Sequence, residues 1–387
     1  MKILLIQPCF VDFGGYFRSM GMARALAKRG DLVDLLISSK ENSLTIKKAR
    51  EIKNLTVYQL PRINFHQFVN GKIFRGLLAC FFILFKNYDL IHVFESNQFE
   101  SILPLVLCKM TGKKVVLDID EEWLDSFLCK MNKLMAIYIR FCDTFLATKF
   151  DYLTVTSEHL VKKFRRLEVK HVFKIINGVD LDQFVPMNKN KARKYLSISP
   201  QEKIILAMGN TYEGERAFLL FKTFEEILKK DKTVKLYFNL DPQIFWQKEK
   251  IKKNINKDIF SHIVHTGFIN LKTKKGLAYL GAADLTLFLM GNTPSEKACF
   301  PVRIGTYLNG GKVIALNKTN TEAFQTLAKY HCLVSGEGPS EMAQEIVKFF
   351  KNEQKRRQLK KKVLRAKKEL SWDNLIDGLL EFYSLVS

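Results

Sequence analysis

The sequence contains no Cys-x-x-Cys pair. Its seven cysteines stand singly, at positions 9, 80, 108, 129, 142, 299 and 332 of 387 residues. An odd, scattered set argues against a disulfide framework or a thiolate zinc site and suits a reducing compartment. His92, His159, His265 and His331 show no metal-ligand spacing either and read as structural. Long apolar runs are also missing. The longest, "GLLACFFILF" at 76–85, is closed by Arg75 and Lys86 and is too short to cross a bilayer. It fits a buried helix or an interfacial membrane helix. The opening "MKILLIQP" is too short an apolar run for a secretory signal and reads as a first strand. Acidic residues are scarce, 39 against 62 lysines and arginines, which leaves a formal charge of +23. Such a surface attracts nucleic acid, anionic lipid or phosphorylated ligands. No RNP, helix-turn-helix or zinc pattern accompanies the charge, so nucleic acid is not the expected partner. Neither a G-x-G-x-x-G fingerprint nor a P-loop is present, and no solenoid-length repeat appears.

What is present is alternation. Hydrophobic residues make up 47% of the chain, which excludes a disordered chain, and its length suggests two domains. "KILLIQP", "LVDLLIS", "YDLIHVF", "KKVVLDI" and "DYLTVTS" are apolar strand-like runs separated by helix-like segments. After the turn-rich "NGVDLDQFVP", which ends at Pro186, the alternation restarts with "KIILAMG", "VKLYFNL", "HIVHTGF", "ADLTLFL", "KVIAL" and "KYHCLVS". Continuous apolar strands between amphipathic helices indicate parallel sheets covered on both faces. The expected fold class is therefore α/β, with two doubly wound Rossmann-like domains facing a cleft. Folds of this kind bind ligands at the carboxyl ends of their strands. The late "KNEQKRRQLKKKVLRAKKEL" reads as a basic helix with a solvated face.

Three helix starts share one order: strand, small-residue turn, helix, cation. Gly14 and Gly15 precede Arg18, Gly209 and Asn210 precede Arg216, and Phe300 and Pro301 precede Arg303. A cation in the first turn opposes the helix dipole by about 0.3–1 kcal/mol. A bound anion reverses that sign, because free N–H groups at a helix start accept phosphate oxygens. The repeated pattern suits a diphosphate.

At this point the chain resembles the family-four (group 1) retaining glycosyltransferases of the GT-B fold. The resemblance runs almost end to end and rests on "GGYFRSMGMARALAKRG", "DLIHVF", "INGVDLDQF", "TGFINLKTKKGLAYLGAADLTLF", "SEKACFPVRIGTYLNGGKVIAL" and "LSWDNLIDGLLEFY". It implies an N-terminal acceptor-side domain over 1–186 and a nucleotide-sugar-binding domain over 187–370. A C-terminal helix over 371–387 would pack back on the first domain. It also implies a metal-independent transfer, with retention, from a nucleotide diphosphate sugar to a hydroxyl. The donor is a substrate, and no cofactor is expected.

Residue by residue, the resemblance puts Gly14 and Gly15 beside the donor phosphates and Gly209 at the end of the second domain's first strand. Arg216 takes the place of a phosphate-binding lysine, with Lys222 as a further cation. Asn210 stands where many members have arginine. The backbone of Phe300, Pro301 and Val302 would face the donor, and Arg303 is the basic residue of one branch of the family. Two positions depart from the pattern. Thr306 and Ala298 stand where the family has carboxylates, which implies altered donor recognition or, alternatively, a weakened pseudo-enzyme or partner subunit. In the first domain, "VVLDIDEEW" presents Asp118, Asp120, Glu121 and Glu122. Asp120 is the candidate acceptor-side catalytic residue, and capping of the next helix is the competing reading.

Related enzymes often act on lipid-linked acceptors. The expected partners are therefore a nucleotide-sugar, a lipid-linked or saccharide acceptor and an anionic membrane surface. The expected location is cytoplasmic, peripheral on the inner face of the membrane. The candidate membrane surface carries Lys72, Arg75 and Lys86 beside residues 76–85, with Lys130, Lys133 and Arg140 further on. Plain covering of the sheet remains its alternative.

Overall fold

The computed structural model describes residues 1–63, 71–123, 132–209 and 214–386. The chain divides into two compact units. Unit 1 comprises Met1–Gly178, Thr293–Val302 and Trp372–Ser387, and unit 2 comprises Val179–Asn292 and Arg303–Ser371. The sequence reading puts the join at Pro186, whereas the structure divides the chain after Gly178. The intervening residues are tied to unit 2 by Asn309, whose side-chain amide donates to the carbonyls of Asp180 and Phe184.

Unit 1 carries an eight-stranded sheet. Its strands are β1 (Lys2–Phe10), β2 (Leu32–Ser38), β3 (Lys47–Ile52), β4 (Leu55–Leu60), β5 (Leu90–Phe94), β6 (Val115–Ile119), β7 (Tyr152–Val155) and β8 (His171–Lys174). Their spatial order is β3-β4-β2-β1-β5-β6-β7-β8. All neighbours pair parallel except β3 with β4. Successive side chains of a strand point to opposite faces, and β1 shows the consequence. Ile3 and Leu5 enter one core cluster, while Leu4 and Ile6 enter another. Helix Gly15–Lys28 and helix Trp372–Val386 cover the first face, and Ala79, Phe82 and Ile83 of helix Lys72–Phe85 help cover the second. The antiparallel edge strand β3, "KKAREI", is almost wholly exposed and charged, a sequence that discourages edge pairing with other chains. Its lack of an apolar run hides it from a pattern search.

Helix Trp372–Val386 buries Trp372, Ile376, Leu379, Phe382, Tyr383 and Val386, a helical stripe. Trp372 also dictates two glycines. A Cβ on Gly21 would lie 2.1 Å from its Nε1, and one on Gly178 would lie 2.7 Å from its Cδ2.

Unit 2 carries a six-stranded, fully parallel sheet: β9 (Lys203–Ala207), β10 (Val234–Phe238), β11 (Ile263–His265), β12 (Leu285–Leu287), β13 (Val313–Ala315) and β14 (Leu333–Val334). The order is β11-β10-β9-β12-β13-β14. Each of these strands falls on a run that the sequence marks as apolar. The basic helix Glu353–Glu369 buries Leu359, Val363 and Ala366 and exposes most of its charge.

Candidate functional site

In unit 2 the polar side chains gather where β9 ends. The Gly209 N–H donates to Asn239 Oδ1 at 2.7 Å, and Asn239 Nδ2 donates back to the Gly209 carbonyl at 2.9 Å. The Tyr307 hydroxyl accepts from the Met208 N–H at 3.1 Å and lies 3.3 Å from the Met208 carbonyl. Two side chains thus hold the strand's end at a fixed geometry. Tyr307 lies on helix Val302–Asn309, one turn after Arg303 and therefore on the same face. Arg303 is half-buried in the first turn and has no hydrogen-bond or ion-pair partner among the described residues. Burial raises the Tyr307 hydroxyl to about 12, with the nearby Arg303 charge pulling the other way. An uncompensated guanidinium at a helix start, beside a fixed strand end, is an arrangement that an anion would complete.

Arg216 sits in the first turn of helix Gly214–Lys230, half-buried. Lys222 lies further along that helix, its ammonium 2.6 Å from Glu225. Asn210 lies outside the described residues. Thr306 is buried on helix Val302–Asn309, and its hydroxyl has no hydrogen-bond partner among the described residues.

In unit 1, Gly14 adopts φ +44° at the start of helix Gly15–Lys28, and this start has no side-chain cap. Gly15 is buried, and a Cβ there would lie 2.6 Å from Gln7 Nε2. Arg18, expected as this start's cation, is turned inward and only 1% exposed. Its guanidinium donates to both oxygens of Asp118, to the Ile175 carbonyl and to Asn177 Oδ1. Four of the five guanidinium N–H groups are engaged in this way, so Arg18 is a structural residue rather than a phosphate ligand. Asp118 also accepts from Thr154 at 2.6 Å, and Thr154 reaches buried His92 at 3.1 Å. Burial lowers the His92 pKa and so favours the neutral ring.

The segment Thr293–Val302 belongs to unit 1. Asn177 Nδ2 donates to the Phe300 carbonyl at 2.6 Å, and the Thr156 hydroxyl lies 3.0 Å from the Ala298 carbonyl. Ala298 is fully buried in the core, and Phe300 is buried with Pro301 and Val302 half-exposed beside it. Glu296 lies two residues before Ala298. It closes a capping box with Thr293 on helix Pro294–Ala298.

A second polar group lies at the carboxyl ends of β5 and β6. Glu95, Ser96, Asn97, Asp120, Glu121, Trp123 and Asp143 line a small open cleft with Ile119. Burial raises the Glu95 carboxyl to about 8, and the charge of Asp120 adds to the effect. Burial and then Asp118 raise Asp120 to about 6, and burial raises Asp143 to about 6. Glu95 holds φ +61°, a left-handed conformation uncommon outside glycine. Among the described residues, no three His, Cys, Asp or Glu side chains are placed to hold a metal ion. Sequence reasoning found Asp120 but missed Glu95, Asp143, Asn239 and Tyr307. The position of Glu95 and Asn239 just past a strand's carboxyl end was the available signal.

No protein-family model and no curated protein matches the sequence. Solved structures match over nearly the whole chain. Sucrose-phosphate synthase from Thermosynechococcus elongatus superposes with a TM-score of 0.70 at 14% identity, covering 100% of this chain and 98% of that one. The catalytic domain of starch synthase IV from Arabidopsis thaliana, bound to ADP and acarbose, gives 0.69 at 14%, covering 100% and 99%. WaaG, a glycosyltransferase involved in lipopolysaccharide biosynthesis, gives 0.66 at 12%, covering 98% of each chain. The chain has the GT-B fold. In this GT-B chain, the strand-end geometry of unit 2 and the acidic cleft of unit 1 both occupy positions at the carboxyl ends of parallel strands, where doubly wound sheets take ligands.

Proposed function

We propose that this protein is a glycosyltransferase. It moves a sugar, with retention and without a metal, from a nucleotide diphosphate sugar to a hydroxyl acceptor in cell-surface polysaccharide or glycolipid synthesis. The observation that carries the reading is Arg303, a cation at a helix start without an acidic partner among the described residues, beside the clamped end of β9. Arg303 and Arg216, with the backbone N–H groups of their helix starts, would neutralise the diphosphate as it leaves. Charge-assisted hydrogen bonds of this kind contribute about 1.5–3 kcal/mol each. The GT-B fold and the ADP bound by the starch synthase support a nucleotide diphosphate donor. Asp120, held near pKa 6, is suited to accept the acceptor hydroxyl's proton near neutral pH. The test is calorimetry against a panel of nucleotide-sugars, followed by product analysis. If the chain binds no member and no nucleoside diphosphate, the reading fails.

A second reading is a catalytically weakened binding protein or partner subunit. It is favoured by the buried Ala298 and Thr306 and by the capping role of Glu296. Donor binding without donor hydrolysis or transfer would select it.

The acceptor reading includes peripheral attachment to the inner face of a membrane. Exposed Ile73, Phe74, Leu77, Phe81, Leu84 and Phe85 on helix Lys72–Phe85 support it, together with Leu134, Ile137, Phe141 and Phe145. Lys133 and Arg140 lie exposed near the latter group. Lys130 lies outside the described residues. Arg75 does not contribute, because it is buried against Glu100, and Lys86 is paired with Asp34. No described helix is long and apolar enough to cross a membrane. Apolar insertion therefore carries more of this attachment than charge does. Co-sedimentation with neutral and anionic vesicles should survive high salt. Failure to sediment with either removes the membrane from the proposal.

A further inference from the structure

We infer, resting on the donor reading proposed above, that Asn239 and Asn317 are positioning residues. They hold apart the ends of β9 and β12 and so shape the crevice that receives the donor's diphosphate.

The spatial order β11-β10-β9-β12-β13-β14 runs outward in both directions from the β9/β12 pair. That pair is the sheet's topological switch point, where doubly wound sheets take their ligands. The sheet also parts there first. β9 and β12 last pair at Leu206 and Thr286. The ladders on either side run one residue further, to Ala207 and Phe238 between β9 and β10, and to Leu287 and Ala315 between β12 and β13.

Beyond the ladders, two asparagines continue the separation. Asn239, the residue after β10, exchanges two hydrogen bonds with the Gly209 backbone, at 2.7 and 2.9 Å. Asn317, two residues after β13, does the same for Met290. The Met290 N–H donates to Asn317 Oδ1 at 2.8 Å, and Asn317 Nδ2 donates to the Met290 carbonyl at 2.6 Å. Each amide ties the end of a central strand to its outer neighbour, and both asparagines are buried. Among the described residues, no hydrogen bond joins Met208 or Gly209 to Met290. Tyr307 touches both ends instead. Its hydroxyl reaches the Met208 backbone, and its ring lies edge-on to Phe288, the residue after β12, with centroids 6.4 Å apart.

This arrangement divides the labour. The backbone N–H and C=O groups of Met208, Gly209 and Met290 all have side-chain partners, so they are not left over for phosphate oxygens. The diphosphate's charge falls to Arg303, one helical turn before Tyr307, and to Arg216. Charge-assisted hydrogen bonds are short and demand good placement. The asparagines supply that placement at one remove. With a strand end released, helix Val302–Asn309 loses its fixed seat on Met208, and Arg303 moves with it.

The test is calorimetry on the full chain with the diphosphates of uridine, adenosine, guanosine, cytidine and thymidine. Asn239→Ala and Asn317→Ala should each weaken the diphosphate that wild type binds by at least about five-fold. The stoichiometry reports the folded fraction, so lost fold is not read as lost affinity. Where an alanine variant does not fold, Asn239→Ser or Asn317→Ser takes its place. Asn309→Ala is the control. Its buried amide holds the carbonyls of Asp180 and Phe184 rather than a strand end of the sheet, so it should lower stability and leave Kd unchanged. Combined with Arg303→Ala, each asparagine substitution should cost less than it does alone, because it acts through that contact. Unchanged affinity in either asparagine variant, an equal loss in Asn309→Ala, or full additivity with Arg303→Ala would overturn the inference and leave the donor reading standing. A wild-type chain that binds none of the five would overturn both.

Discussion

Arg18 and Asp118 form a two-pronged ion pair, with Nε 2.9 Å from Oδ1 and Nη2 2.7 Å from Oδ2, and both side chains sealed from solvent. Removing one partner of such a pair leaves a buried charge alone and costs about 3–5 kcal/mol. Arg18→Ala and Asp118→Ala should each lower stability by that order in denaturant unfolding. Burial alone would raise the Asp118 pKa, but the Arg18 charge outweighs it and holds the carboxyl well below the usual range. The folded pKa lies below the unfolded one, so this stability is present above about pH 4 and is lost as pH falls further. A variant of wild-type stability would show that the pair does not support the fold.

Arg303→Ala and Arg216→Ala should each weaken nucleoside diphosphate binding by about 1.5–3 kcal/mol, or roughly ten- to a hundred-fold. Lys222→Ala should change it far less, because that ammonium already faces Glu225. Calorimetry reads all three. An Arg303→Ala protein with unchanged affinity would take the helix start out of the donor site.

Thr306→Glu tests the missing carboxylate. The new side chain should tighten donor binding by supplying two acceptor oxygens to the ribose hydroxyls. It should also lower the melting temperature, since position 306 is buried and a carboxylate there loses hydration. Donor affinity and donor choice that both stay put would remove position 306 from the ribose site.

Lys312 is buried and donates to the carbonyls of Gly281 and Ala283 at 2.8 and 2.9 Å. Burial lowers its pKa to about 7, against the favourable field of Asp284. Between that value and the unfolded value near 10.4 the unfolded chain binds the extra proton. Stability should therefore rise with pH across this window, by at most about 1.4 kcal/mol per unit, and the gain should vanish as pH falls through 7. Lys312→Met should flatten that rise relative to wild type. Parallel stability profiles for the two proteins would contradict the buried charge.

The strands of unit 2 and most of those of unit 1 were legible because parallel strands buried on both faces leave continuous apolar runs such as "KIILA". β3 escaped because its six residues are nearly all solvated. The role of Arg18 was illegible for a different reason. Its position in a helix's first turns is local, but its partner lies a hundred residues away, and no spacing rule reaches that far. Arg303 was readable because its oddity, a cation at a helix start, is local. Tyr307 and Asn239 were not, since an aromatic in an amphipathic helix and a polar residue after a strand are ordinary until their hydrogen bonds are seen.

The return of Trp372–Val386 to unit 1 bears on how the chain is made. A ribosome releases domains in order, and the first usually folds while the next is still being translated. Here the first sheet lacks Trp372 between Gly21 and Gly178, and Tyr383 beside His92, until after every residue of unit 2 has emerged. Unit 2, begun later, is complete sooner. A nascent chain halted just before residue 372 would hold every residue of the second unit and an open first one, its apolar groove exposed to chaperones and proteases.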